Sequence, residues 1–513
     1  MRRQCNMHRT MGIQMPTRGS DIVGRIGDIL FAFILLASAP SCTPNPATGQ
    51  QDFTLFMSES EEARIGAQEH SKIIVRYGGV YDDPKIGAYV AEIGGRLAAN
   101  SEGAKTPFTF TVLNTPNVNA FALPGGYVYV TRGLIALANS EAELAGVVAH
   151  EIGHVIARHT AQRYSRAAAT QIGATLLSAL IGSREVGNLL EVGGQLYLLS
   201  FSRAQEFEAD TLGIRYLNRT GYDPVAEAQF LQNLGREKEL QDRLAQRDAR
   251  DRQSDFLTTH PNTPERVQRA IAAAGGGPSG RPLRRDIFLD RINGMLFGDD
   301  PEQGLVRGRR FMHPGLRFGF EVPPNFRLFN TSERVIALHP DKAAIVFDSA
   351  GPNTHPDVLT YLTQIWASGV ALKGVERLMI NGMAGATGQT TVDTQNGRAN
   401  LRMIAIQFAN GSIYRFRFLT PPALTDRLNA DLRRTTFSFR TLSQSEASGL
   451  KPYRLQSITV GASDTINSLA ARLPFADFQV ERFRTLNGLG PSDRVRAGQR
   501  VKIVIETSRS NRS

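Results

Sequence analysis

The chain has 513 residues, 41% of them hydrophobic, with 59 basic and 48 acidic side chains and a formal net charge of +11. That length exceeds one ordinary domain, and the apolar content supplies several cores, so a disordered polypeptide is excluded. Two cysteines exclude a disulfide scaffold and any multi-cysteine zinc module, while 48 glycines and 25 prolines are too few for a collagen-like or low-complexity chain.

In chain order, the first element is a targeting segment. Ile29 to Ala39 is an uncharged apolar run, preceded by Arg2, Arg3, Arg9, Arg18 and Arg25. It is shorter than the roughly 20 residues that span a bilayer, and a basic region before a short apolar one makes a secretory signal. The run ends Ala39-Pro40-Ser41-Cys42 and continues into the polar tether Thr43-Pro44-Asn45-Pro46. This resembles a bacterial lipoprotein signal, with Ala39 standing where Leu is usual. Residues 1–42 are therefore expected to be a signal peptide with Cys42 as the lipidated residue. Cleavage after Ser41 without lipid, or an uncleaved anchor, is the alternative. The rest of the chain is expected in a periplasm, membrane-associated, as an outer-membrane lipoprotein. The basic surplus suits an anionic membrane surface or a polyanionic cell wall, or serves solubility, and nothing resembles a nucleic-acid module.

Two polar stretches, Gly275 to Pro282 and Ser443 to Pro452, divide the remainder into blocks at 53–274, 283–442 and 451–506. The predicted fold is multidomain α+β. The first block reads as mainly helical, with helices over Ser58 to Ala67, Lys85 to Asn100, Ser140 to Arg166 and Glu206 to Arg219. Strands are predicted at Phe108 to Leu113 and Gly126 to Thr131. Ala167 to Gly182 is uncharged but short for a membrane span, so it is expected to pack as a helix beside the site or to touch lipid. The second block is strand-rich, at Ala344 to Phe347, Leu401 to Phe408 and Ser412 to Leu419, with a helix near Asp357 to Ser368.

The chemistry lies at His150-Glu151-Ile152-Gly153-His154. Ser140, with Glu143 three residues on, forms a capping box, so the helix is expected to start at Glu141. At about 100° per residue His150 and His154 sit about 40° apart on one face, with Glu151 between that face and an apolar stripe. Two imidazoles can share one zinc ion while the carboxylate reaches water bound there and acts as general base. A third protein ligand is needed. Glu206 and Asp210, four apart on a second helix, share a face: Glu206 can ligate and Asp210 can hold a ligand histidine by its other ring nitrogen. Glu208 falls about 200° from Glu206 and is expected to point away.

These motifs, with Asn119 to Gly126, Val130 to Leu134, Gly221 to Pro224 and Thr259 to Arg266, resemble the M48 (CAAX prenyl protease/HtpX-like) zinc metallopeptidases, in the periplasmic outer-membrane quality-control branch. The resemblance covers about 53–274. It implies a gluzincin-like peptidase domain holding one zinc ion per chain through His150, His154 and Glu206. Glu151 would be the base and Asp210 the orienting residue. It also implies that Val118 to Phe121 form an edge strand over the cleft, able to hold an extended peptide. His260 lies in a loop that in some relatives reaches and blocks the metal; it could instead stabilise an oxyanion or cap the next helix.

Residues 451–506 resemble a LysM-like βααβ module, on Val460 to Thr465, Leu486 to Leu489 and Ala497 to Ile503, with Ser463 where Gly is usual. Peptidoglycan binding is what that resemblance implies, with a structural or protein-binding module as the alternative. Residues 283–442, on His313 to Pro324, are weakly similar to the opening of α/β sandwich-like domains of the photosystem II extrinsic P type, and are expected to bind a substrate or partner. The expected function is an exported zinc metalloendopeptidase that hydrolyses misfolded or stalled cell-envelope proteins. The alternatives are a chaperone or adaptor for outer-membrane assembly, and a zinc hydrolase acting on cell-wall peptides.

Overall fold

The computed structural model describes residues 42–181, 200–245, 260–261, 264–352, 357–394 and 397–507. The signal segment before Cys42, Gly182, and the motif positions Thr259, Asn262 and Thr263 lie outside the described residues. The architecture is α+β, with a helical N-terminal region and a sheet-rich C-terminal region.

The described chain opens on a short hairpin, β1 (Cys42–Pro44) paired antiparallel with β2 (Gln51–Phe53). Helix α1 (Glu59–Arg76) starts at Ser58, whose side chain accepts the Glu61 amide, and three acidic residues in its first turn suit the positive end of the helix dipole. Helix α2 (Pro84–Ala99) starts at Asp83 with proline in its first turn. A three-stranded sheet follows, in the order β3-β5-β4. Strand β3 (Thr109–Leu113) is parallel to β5 (Tyr127–Thr131), and β4 (Ala120–Leu123) is antiparallel to β5 at the edge. The tight turn from β4 to β5 needs Gly125 and Gly126, at φ +81° and +90°; a Cβ on Gly126 would come within 2.6 Å of the Pro107 carbonyl.

After α3 (Arg132–Leu137) comes α4 (Glu141–Ile156), a helix buried along nearly its whole length. It begins where the capping box predicts. Ser140 accepts the Glu143 amide at 3.1 Å, but Glu143 returns its bond to the amide of Asn139 at 2.9 Å, one residue before the cap. The single helix expected over Ser140 to Arg166 is two. Arg158 takes the left-handed conformation, φ +53°, and α5 (His159–Ile181) starts afresh in a new direction. Long-range contacts hold the break: Arg158 donates to Glu62 and to the Met57 carbonyl. No helix among the described residues is long and apolar enough to cross a membrane. Helix α6 (Arg203–Thr220) carries a full capping box, Ser202 with Gln205, and ends on Gly221 in the left-handed region. Helices α7 (Val225–Ala245), α8 (Pro264–Ala273) and α9 (Arg285–Ile292) complete the helical region.

Strand β6 (Leu296–Phe297) pairs with β18 (Tyr453–Thr459), which pairs with β19 (Arg500–Glu506). The intervening sheets form a separate body with its own core. Four strands, β7 (Leu305–Arg307), β8 (Arg310–His313), β9 (Phe318–Glu321) and β17 (Arg440–Thr441), make one sheet in the order β17-β9-β8-β7. Seven more, β10 (Arg327–Asn330), β11 (Val335–Leu338), β12 (Ala344–Pro352), β13 (Lys373–Ile380), β14 (Met383–Thr394), β15 (Gly397–Gln407) and β16 (Ser412–Thr420), make the other, in the order β10-β11-β12-β16-β15-β14-β13. Helix α10 (Pro422–Ser438) lies against them, and the core is aromatic: Phe318, Phe320, Phe347, Tyr414, Phe416 and Phe439. The strands expected at 344–347, 401–408 and 412–419 all fall in this larger sheet. Ser443 to Pro452 contains a capped helix, α11 (Gln444–Gly449).

The last segment has the order β18, α12 (Ile466–Ala470), α13 (Gln479–Leu486), β19. It shares one continuous core with the helical region: Leu455, Leu469, Phe483 and Val501 pack in the same cluster as Leu134, Val148 and Phe230. Lys502 is buried, and its amine donates to the carbonyls of Ala136 (2.7 Å) and Ala138 (2.5 Å) at the end of α3, just ahead of α4. Helix ends leave such carbonyls without partners. Lys502→Met is therefore expected to lower the unfolding free energy by about 2–4 kcal/mol by stranding them. Urea denaturation reads this, and a loss below about 0.5 kcal/mol would remove the strap.

Candidate metal centre

Two helices and the segment before a third bring the site together. α4 supplies His150, Glu151 and His154, all buried; α6 supplies Glu206 and Asp210; His260 comes from the segment just before α8. Glycines let α4 and α6 approach closely. A Cβ on Gly153 would sit 3.2 Å from the Ala209 carbonyl, and one on Gly213 would sit 3.2 Å from the His150 amide.

His150, His154, Glu206 and His260 each aim one ligand atom into a common space, all within 4.8 Å of one another. The Nε2 atoms of His150 and His154 are 3.0 Å apart, and His154 Nε2 lies 3.6 Å from Glu206 Oε1. His260 Nδ1 is 3.1 Å from the same Glu206 oxygen and 3.3 Å from His150 Nε2. Around a tetrahedral zinc ion with bonds near 2.0–2.1 Å, ligand atoms stand about 3.3–3.5 Å apart. The donor set therefore fits one zinc ion. The hydrogen-bond logic agrees, because each α4 imidazole turns its Nδ1 outward to a partner and its Nε2 lone pair inward. Two Nε2 atoms 3.0 Å apart, beside a carboxylate, repel as lone pairs unless a proton or a metal ion lies between them.

The outer partners differ. His150 Nδ1 faces Asp210 Oδ1 at 3.0 Å. Asp210 in turn accepts two bonds from the buried Arg266, at 2.9 and 2.6 Å, and Arg266 also reaches Glu206 Oε2 at 2.6 Å. His154 Nδ1 meets His159 Nδ1 at 2.8 Å, and Phe201 stacks on the His154 ring with centroids 3.9 Å apart. Glu151 is fully buried and neither of its carboxylate oxygens has a hydrogen-bond partner; its Oε1 lies 3.5 Å from His260 Nε2.

Charge follows from these contacts. Burial pushes the Glu206 carboxyl up, but the charge and hydrogen bond of His260, with Arg266, bring it below the usual range, so it is ionised. Burial likewise opposes Asp210, and the His150 bond and Arg266 outweigh it, holding Asp210 well below the ordinary carboxylate range. Burial raises Glu151, with His260 and His150 opposing, which is the direction a proton acceptor needs if it is to work as a base near neutral pH. Burial and the adjacent imidazoles hold His154 well below the usual histidine value, so it is neutral. Glu227 lies against His150 and Asp210, and burial with the Asp210 charge pushes it well above the usual range, so it carries its proton.

All six residues named from sequence fall in this cluster or against it. Val118 to Phe121, expected as the edge strand, is Ala120–Leu123 in the structure, still at the sheet edge. It runs beside α4, with a cleft of about 20 Å³ between Ala122, Leu123, His154 and Arg158, the size of one water. Sequence reasoning missed the roles of Arg266, Glu227 and His159. Glu208 does point away from the metal position, and instead faces His159, with Oε2 at 3.3 Å from Nε2.

An HExxH helix, a glutamate from a second helix and an outer aspartate are the donor arrangement used by zinc metallopeptidases of the Glu-ligand class. Residues 84–274 match Peptidase family M48, whose members are zinc-dependent metalloproteases. Similar proteins include the beta-barrel assembly-enhancing protease of Yersinia pestis, 38% identical over 162 residues, covering 30% of this chain and 33% of the relative. The protein of the same name from Escherichia coli (strain K12) is 34% identical over 189 residues, covering 35% and 37%. The mitochondrial metalloendopeptidase OMA1 of Arabidopsis thaliana is 33% identical over 202 residues, covering 39% and 38%. The chain spans less than half the length of these relatives. The solved cyanobacterial PsbP of Synechocystis aligns with 27% of this chain and 98% of its own at 13% identity, with a TM-score of 0.21.

Arg266→Ala would leave two ionised carboxylates buried beside a neutral third. It is expected to cost about 3–5 kcal/mol of stability in the metal-free protein, read by chemical denaturation. A cost below about 1 kcal/mol would show that solvent already reaches these groups.

Proposed function

We propose that this chain is an exported zinc metalloendopeptidase that hydrolyses peptide bonds in misfolded or stalled cell-envelope proteins. The observation that carries the reading is the inward convergence of His150, His154 and Glu206 with an unbonded, fully buried Glu151 carboxylate behind them. Those three residues would hold zinc, which would supply Lewis-acid polarisation of the scissile carbonyl and an acidified water. Glu151 is placed to accept a proton from the attacking water and to return it to the leaving amine. Asp210 and Arg266 keep His150 and Glu206 aimed inward. The β4 edge holds an extended substrate by backbone pairing, which selects for unfolded chain rather than for sequence.

His260 stands where a fourth ligand would, and the cleft beside β4 is too narrow for a peptide, so the described form is a closed one. Movement of His260 opens it. The names of the bacterial relatives support a substrate among outer-membrane proteins in assembly. A periplasmic location with Cys42 lipidated, and wall contact through the 451–506 module, complete the proposal.

The test uses unfolded model protein as substrate. Glu151→Gln is expected to keep one zinc and lose cleavage by about 10²–10⁴-fold; normal cleavage by that variant would remove Glu151 as base. His150→Ala is expected to lose the metal, and stoichiometric zinc in that variant would remove His150 from the ligand set. A chelator such as 1,10-phenanthroline is expected to abolish cleavage and zinc to restore it. His260→Ala is expected to raise the rate. Zinc-loaded protein that stays inactive with that substitution would favour the chaperone reading.

A further inference from the structure

The two histidines of α4 are held by different means, and the second arrangement involves residues outside the ligand set. In one continuous helix, residues 154 and 159 would be about 140° apart around the axis and could not meet. The break at Arg158 turns α5 back, so that His159 Nδ1 lies 2.8 Å from His154 Nδ1 with the rings 4.9 Å apart. One of these nitrogens must donate. His154 needs its Nε2 lone pair facing Glu206 and His150, so its Nδ1 carries the hydrogen and His159 Nδ1 accepts. The hydrogen on His159 is then on Nε2, which points at Glu208 Oε2, 3.3 Å away. The other oxygen of Glu208 accepts from Asn45 Nδ2 at 2.8 Å. Asn45 is buried at the turn of the N-terminal hairpin and also donates to Asp52 at 2.9 Å. Every hydrogen has an acceptor in this direction. The reverse direction would put a hydrogen on His154 Nε2, aimed at His150 Nε2.

We propose that His159 is a positioning residue for the metal ligand His154, held in its tautomer by Glu208 and Asn45, so that the N-terminal hairpin is part of the metal centre. This rests on reading His154 as a zinc ligand. The arrangement matches that of His150 and Asp210, with an imidazole inserted between ligand and carboxylate. The sequence separates the parts widely, and they join only because Arg158 breaks the helix.

The test measures zinc affinity of the full chain by competition with a chromophoric chelator, together with the visible spectrum of the cobalt(II)-loaded protein. His159→Phe keeps the ring volume and removes both bonds. It is expected to weaken zinc binding about 10–100-fold and to shift the cobalt bands. His159→Gln keeps an acceptor and a donor and is expected to stay within about 3-fold of the parent; Asn45→Ala is expected to lose about 2–5-fold. Parental affinity and spectrum in His159→Phe would overturn the assignment. Should that variant not fold, Glu208→Ala carries the same decision: it is partly exposed, and unchanged affinity there would overturn it. A parent chain that binds no zinc removes the metallopeptidase reading and this assignment together. Unchanged binding in the variants removes this assignment alone.

Discussion

The structure depends on burying four titratable donors and their carboxylate partners inside a helical core without leaving net charge unmatched. Moving an ion into such an interior costs several kcal/mol unless its partners go with it. Here one guanidinium, Arg266, serves two ionised carboxylates, Glu206 and Asp210, and a third, Glu227, is kept protonated beside them. The same contacts set the direction in which each imidazole points. Stability and ligand geometry are thus one problem: the group that makes Glu206 tolerable in the core also occupies one of its oxygens and leaves the other facing the histidines.

What could be read from sequence follows the range of the interaction. The start of α4 is local, since Ser140 and Glu143 act within one turn, and it falls at Glu141 as the pattern predicts. The faces of His150, His154, Glu206 and Asp210 follow from helical periodicity alone. The end of α4 does not, because Arg158 is held left-handed by Glu62 and Met57, residues about a hundred positions away in the chain. With that break hidden, His159 looked like one more helical residue. Glu208 was correctly turned from the metal by its periodicity, but periodicity says nothing of what it turns toward. Lys502 is a similar case: a lysine in an alternating terminal strand reads as a solvated residue, and only the docking of β19 against α3 shows it buried.

The C-terminal segment changes how the site is supported. Val501, Ile503 and Phe483 share a core with the metal-bearing helix, and Arg285 and Lys502 bond the backbone just before it. The chain thus wraps α4 with residues drawn from its first and last described segments. Asn45 does at one end, for His154, something like what Lys502 does at the other for the entry to α4: each satisfies a polar group that the local sequence cannot.

The sheet β19-β18-β6 has a further consequence. Phe297 and Tyr453 face each other across adjacent antiparallel strands, so everything from Gly298 to Pro452 departs and returns at one point. To the peptidase body the two-sheet insert is a very long hairpin loop. Closure of such a loop costs free energy that grows only with the logarithm of its length. The length of the insert therefore weighs little on the body, whose further ties to it include Asp300 with Asn114, Gln303 with Gly78, Ser332 with Arg76 and Arg327 with Gln241; away from those contacts the insert can lengthen while the helical core is carried along unaltered.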